Sequence, residues 1–318
     1  ITKYIGTDDT VIIPQTIDGL FVTTIGYGAF TYCESLTSIN IPSSVTKIEQ
    51  SAFIGCSKLS SITIPSGVSI IESHVFKDCI NLTEVNILGD VNKIEPYAFY
   101  NCSSLTNIDK IIEDVVFIEE SAFSRCDGIT EIVFGEQLTQ VGKDAFMDCE
   151  SLLTIEFKSE IVDFGLGAFR NCINLVNITL PIKTSKISDY MFYNCEDLEN
   201  FTFTNEITEI GYRAFDLCKN LTIYAPRSSY AERYAKENNI PFVTDKTNFC
   251  DDYTRNNLRL NVIPKIKEIF PEMAKSIRRF SEISSIEDQY LDQVANERVK
   301  VEKDAVKIPL PLHTAILS

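Results

Sequence analysis

The 318-residue sequence has no tryptophan, only three methionines and only two histidines, His74 and His313. Chemistry that depends on histidine, whether zinc ligation or a nucleophilic dyad, therefore has almost nothing to work with. No stretch of eighteen apolar residues exists, so no membrane-spanning helix is expected. Basic residues are scarce: 29 Lys and Arg stand against 45 Asp and Glu, for a formal charge of −16. A nucleic-acid partner, which needs a basic face, is not expected. Also missing are the phosphate-cradling G-x-x-x-x-G-K-[ST], the dinucleotide G-x-G-x-x-G, H-E-x-x-H and G-x-S-x-G. No catalytic residues, no cofactor and no metal are assigned, and no enzyme is expected. The chain starts at Ile1 without a leader-like segment, and residues 308–313 carry no sorting signal or lipid anchor. The sequence reads as a mature or trimmed form whose surface attachment, if it has one, lies elsewhere.

What is abundant is repetition. A phenylalanine recurs at Phe30, Phe53, Phe76, Phe99, Phe123, Phe146, Phe169, Phe192 and Phe215, every 23 residues with a single step of 24. Three residues after each comes a cysteine: Cys33, Cys56, Cys79, Cys102, Cys126, Cys149, Cys172, Cys195 and Cys218. Three further on stands Leu, or Ile129 once, and then I-x-[IF], often closed by Pro, as in Ile39-Asn40-Ile41-Pro42. A unit this small cannot bury its own apolar side, so the units must stack. The L-x-x-I-x-I stretch alternates as a strand with one face inward, and proline ends it. Stacked rungs then form a parallel sheet with a spacing of roughly 4.8 Å.

The unit A-F-x-x-C-x-x-L-x-x-I-x-I-P followed by V-x-x-I resembles the BspA-like leucine-rich repeats. An opening rung at Ile12-Ile13-Pro14, Ile17-Asp18-Gly19-Leu20 and Val22-Thr23-Thr24-Ile25-Gly26 is similar to the family's usual start. The resemblance covers residues 1–245. It implies a curved, right-handed α/β-type repeat solenoid with a parallel sheet, and recognition outside the cell or at its surface, commonly adhesion to host or microbial proteins. It does not imply catalysis.

Nine cysteines in file point in parallel and lack the C-x₂₋₄-C spacing of metal sites. They read as buried thiols packing the turn and bonding weakly to backbone. Cys250 stands outside the file as a candidate reactive or intermolecular thiol, and is expected to be buried. After the last repeat, Ser228 or Ser229 can cap a short helix whose Tyr230, Ala231, Tyr234 and Ala235 share a face, stopped by Asn238-Asn239. Ile240-Pro241-Phe242-Val243 reads as a final extended rung. Residues 226–245 thus cap the sheet end. Residues 246–318 carry no repeat and read as a small, mostly helical segment: Ile266, Ile269, Phe270, Met273, Ile277 and Phe280, with a kink at Pro271, then Ile286, Tyr290, Leu291 and Val294. The acidity lies in the solenoid, where residues 1–245 hold 34 acidic against 17 basic side chains.

Side chains flanking each strand's central Ile face outward. The binding candidates on this strip, the concave side of such a solenoid, are Glu84, Asn86, Asn107, Asp109, Glu131, Thr154, Glu156 and Asn177. The strip is small, polar and mildly acidic, offers no ring for sugar stacking, and suits a basic or hydrogen-bonding protein partner. One rung is irregular. Lys110 stands where an apolar residue belongs, and Ile111 to Ile118 hold more apolar residues than one rung can bury. With Val115 and Ile118 inward, Val116 and Phe117 face outward as a contact candidate, or as a bulge packed against the tail. The expected partner is a host or microbial surface or matrix protein, bound by a monomer, extracellular or on the cell surface. An intracellular scaffold that positions the C-terminal segment is the alternative.

Overall fold

The computed structural model describes residues 1–204 and 206–245. They belong to a unit spanning Ile1–Lys246, separate from Thr247–Ser318. The expectations for Cys250 and for the helices beyond residue 246 lie outside the described residues.

The described chain is a parallel-sheet solenoid with two strand-bearing faces. The first face carries Thr10–Ile12, Ser38–Asn40, Ser61–Ile64, Glu84–Ile87, Glu131–Phe134, Thr154–Phe157, Asn177–Ile178, Asn200–Thr202, Thr222–Pro226 and Phe242–Asp245. Their alternation is as the sequence dictates: Ile62 and Ile64 are buried while Ser61 and Thr63 are exposed. The second face carries two-residue strands from V-x-x-I, such as Lys47–Ile48, Lys93–Ile94 and Glu209–Ile210. All these strands pair in parallel, and an antiparallel hairpin, Thr16–Ile17 with Leu20–Phe21, lies in the opening rung.

Between the two faces runs the A-F-x-x-C turn. In all nine rungs the residues two before and two after the phenylalanine adopt positive φ, from Gly28 and Tyr32 to Arg213 and Leu217. Only three of these eighteen are glycine. A non-glycine residue there costs roughly 1–2 kcal/mol, so packing must hold the turn. The phenylalanines supply it: successive rings stack with centroids 5.1–5.8 Å apart. Tyr4 stacks on Phe30 at one end of this column, and Tyr234 meets Phe215 edge-on at the other. Eight thiols, from Cys56 to Cys218, each donate to the carbonyl of the previous rung's phenylalanine at 3.1–3.3 Å. No disulfide links them. Burial raises every thiol in the file, Cys56, Cys149 and Cys218 to about 12.

The expected continuous sheet is interrupted. In the irregular rung the strand is replaced by a one-turn helix, α1 (Asp109–Ile112). A strand sends consecutive side chains to opposite faces, and this rung has two consecutive isoleucines to bury. The helical turn buries Ile111 and Ile112 together, with Ile108 and Val115. At the far end α2 (Tyr230–Glu237) is capped by the Ser229 hydroxyl, which accepts from the Glu232 N–H at 3.1 Å. It buries Ala231 and Ala235 and leads into Phe242–Asp245, the last parallel strand.

Candidate binding surface

The six-stranded stretch of the first face aligns its outward residues in register. Glu131 lies beside Thr154 and Thr154 beside Asn177, while Val133 lies beside Glu156. On the N-terminal side of α1, Glu84 lies beside Ser61 and Asn86 beside Thr63. Glu84, Glu131, Thr154, Glu156 and Asn177 are exposed, and Asn86 and Val133 half-buried. Asn107 and Asp109 are exposed too, but not as strand neighbours of this row. The Asn107 carboxamide oxygen accepts from the Asp109 N–H at 3.0 Å, where the chain enters α1. The continuous strip expected across residues 84–177 is therefore two segments divided by a helical turn, because Ile111 and Ile112 had to be buried together.

Val116 and Phe117 stand on the other face. Phe117, 40% exposed, lies in the second-face strand Phe117–Ile118 between Lys93 and Gln140. Val116 is half-buried, and its carbonyl accepts from the Thr139 N–H and hydroxyl at 2.9 and 3.1 Å. The structure does not bring these two residues to the acidic strip.

Charge is distributed unevenly over the faces. Several acids on the second face and the turns are paired: Lys93 with Glu95 and Glu119, Lys143 with Glu120, Lys186 with Glu209, Arg170 with Asp144. None of the ion pairs among the described residues reaches Glu84, Glu131 or Glu156. Among the described residues no cluster of three His, Cys, Asp or Glu side chains could hold a metal ion. His74 stacks on Tyr97 with centroids 5.0 Å apart, and burial followed by the nearby Lys77 lowers its pKa.

A family model described as BspA type leucine rich repeat region, in 6 copies, matches residues 23–111 and 110–222. The chain is a BspA-type leucine-rich repeat protein. Among solved structures, the leucine-rich repeat protein of T. pallidum is 23% identical, covering 76% of this chain and 88% of that one, with a TM-score of 0.38. A leucine-rich cell surface protein from Faecalibacterium prausnitzii is 22% identical, covering 74% and 92%, with a TM-score of 0.39. Curated proteins match in short pieces. A tRNA(Ile)-lysidine synthase of Caldanaerobacter subterraneus is 37% identical over 97 residues, 27% of this chain and 20% of that protein. The Thermosipho africanus protein of the same name is 53% identical over 51 residues, 16% and 12%. The chain spans a quarter or less of the length of these relatives.

Two features of this BspA-type chain escape a reading of the strand positions. The turn face carries its aromatics: Tyr97 packs against Tyr100 at 5.8 Å, Tyr190 against Tyr193 and Tyr212 at 5.7 and 5.6 Å, and Lys77 lies 4.9 Å over the Tyr100 ring. The second is Thr184, which occupies an aliphatic position of the repeat. The substitution of Thr for Val, Leu or Ile was its only signal in the sequence.

Proposed function

We propose that this BspA-type protein is a non-enzymatic recognition solenoid, secreted or displayed at a cell surface, which binds a host or microbial surface or matrix protein through its first sheet face. The observation that carries the reading is the unpaired acidity of Glu84, Glu131 and Glu156 on a face of small polar side chains. Several acids elsewhere, such as Glu95, Glu119, Glu120 and Glu209, have intramolecular cations, whereas these three have none among the described residues and stand open to a basic partner. The protein acts in this reading as a monomer and an adhesin. The test is affinity capture by the full chain from matrix and cell extracts at low and high salt, repeated with Glu131→Lys/Glu156→Lys. The expected result is a partner whose affinity falls about tenfold or more in the variant and weakens with salt. Unchanged affinity for every captured partner would remove the first face from the reading.

A second reading is favoured by the short matches to tRNA(Ile)-lysidine synthases, several of 66–74 residues. The 73 residues from 246 to 318 that lack the repeat are of that size. Here the solenoid is a scaffold presenting a segment akin to part of an RNA-modifying enzyme. Retention of tRNA by the full chain, lost on truncation after residue 245, is the expected outcome, and absence of retention at low salt overturns it.

A further inference from the structure

On the second face, the repeat places an aliphatic residue three positions before each strand's inward Ile or Val. Val45, Val68, Val91, Val115, Leu138 and Ile207 hold this place and are buried. Before Ile187 the place is taken by Thr184, equally buried at 4% exposure. Its hydroxyl has no hydrogen-bond partner within the protein. Valine has the same shape without the unmet hydroxyl, so the threonine opposes stability where it stands.

The rung before it is altered as well. Ile161 stands in the aliphatic place but is exposed, while Val162 and Phe164 turn inward instead. Phe164 puts a ring where other rungs have Ile or Val, and the second face parts here. The strand Asp163–Phe164 ends one sheet and Lys186–Ile187 begins another. At other rungs a backbone N–H makes the tie between neighbours, as from Gly165 to Val141 at 2.7 Å and from Gly211 to Ile187 at 2.8 Å, although the second face also parts between Lys47–Ile48 and Ile70–Ile71. At the break the Ser188 hydroxyl donates to the Phe164 carbonyl. The parted strands leave a cleft of about 310 Å³, with Val162 and Phe164 on one wall and Thr184, Ser185 and Ser188 on the other.

We propose that this cleft is a binding site for a neutral, hydroxyl-rich ligand, a sugar residue of a glycan. An apolar lining of Val162 and Phe164 beside the hydroxyl-bearing Thr184, Ser185 and Ser188 suits a ligand with apolar C–H faces and polar edges. The buried Thr184 hydroxyl gains the partner it lacks. The volume is at the small end of ligand sites, about 300–1,000 Å³, matching one ring and its substituents. An anion is the poorer fit. Lys183 and Lys186 line the cleft, but they are paired with Glu160 at 2.6 Å and Glu209 at 2.8 Å, and Asp163 shares the wall. A peptide strand is poorer still. Adding a strand needs about 4.8 Å on each side, and the Ser188–Phe164 bond holds the two edges closer than that. The site lies on the face opposite in role to the acidic strip and does not depend on what that strip binds.

The experiment is saturation-transfer NMR and calorimetry on the full chain with a panel of neutral mono- and disaccharides, including glucose, galactose, mannose and their N-acetylamino forms. Inorganic phosphate and acetate are the anionic arm. Thr184→Val is the main variant, since it restores the residue of the other rungs and keeps the fold. Ser188→Ala is the second. The expected result is saturable binding of at least one neutral sugar, weakened about tenfold by Thr184→Val with no loss of thermal stability. No saturable sugar in the panel would overturn the proposal. So would a sugar bound equally by Thr184→Val, or phosphate bound in a Thr184-dependent way in place of any sugar.

Discussion

A buried hydroxyl with no partner, as at Thr184, is a local cost that an isosteric aliphatic would not carry. Thr184→Val is therefore expected to stabilise the protein by about 1–2 kcal/mol, read as a higher urea midpoint with an unchanged m-value. The thiol file makes stability depend on alkaline pH. Burial pushes Cys56, Cys149 and Cys218 from 9.0 to about 12, each thiol bonded to a carbonyl of the preceding rung. The native state thus keeps protons that the unfolded chain loses above pH 9. The thiol contribution is complete below that value and falls as pH rises towards about 12. The urea midpoint is expected to drop as pH rises from about 9 towards about 12, at up to about 1.4 kcal/mol per pH unit for each thiol. In Cys149→Ala the drop should be shallower. An equal drop would assign the alkaline loss to the tyrosines.

At the scale of elements, α2 buries Ala231 and Ala235 beside Thr222–Pro226 and leads into Phe242–Asp245, the outer strand of the first sheet, which it holds in place. An uncovered edge is a template for pairing with another chain. Ala235→Asp is expected to lift α2, and light scattering should then rise with protein concentration while Ser229→Ala costs only about 1 kcal/mol. This cap was legible from Ser229, the Tyr/Ala spacing and Asn238-Asn239, because each signal is local. The rungs were legible because the same local pattern is written nine times. α1 was not. Its rung was aligned to a strand template, which put Asn107 and Asp109 on the sheet, although adjacent Ile111 and Ile112 and the 24-residue step already denied the alternation a strand needs. The cleft was less legible still. It arises between rungs, from the ring of Phe164 and the inward turn of Val162, and a pattern read along one strand contains no term for the neighbour it fails to pair with. The acidic residues of the candidate strip could be named from sequence, but their lack of cations could not, since it depends on which lysines stack beside which glutamates.

For the whole molecule, 34 acids against 17 bases in residues 1–245 mean net self-repulsion. The exposed ion pairs on the second face are individually weak. Screening is accordingly expected to help more than it harms, and the melting temperature should rise between about 10 mM and 0.15 M salt, as differential scanning calorimetry would measure. The connections that join one rung to the next, including strand bonds, thiol-to-carbonyl bonds and stacked rings, all point along the length of the stack. A pull applied through its ends therefore meets them in succession, one rung at a time, like a zip opened from its end and not a lap joint in shear. Each rung that opens releases 23 residues, about 75–80 Å of extended chain, in place of roughly 5 Å of stack. A molecule anchored at one end and gripped at the other would lengthen in steps under a small load, keeping its remaining rungs folded and its grip intact.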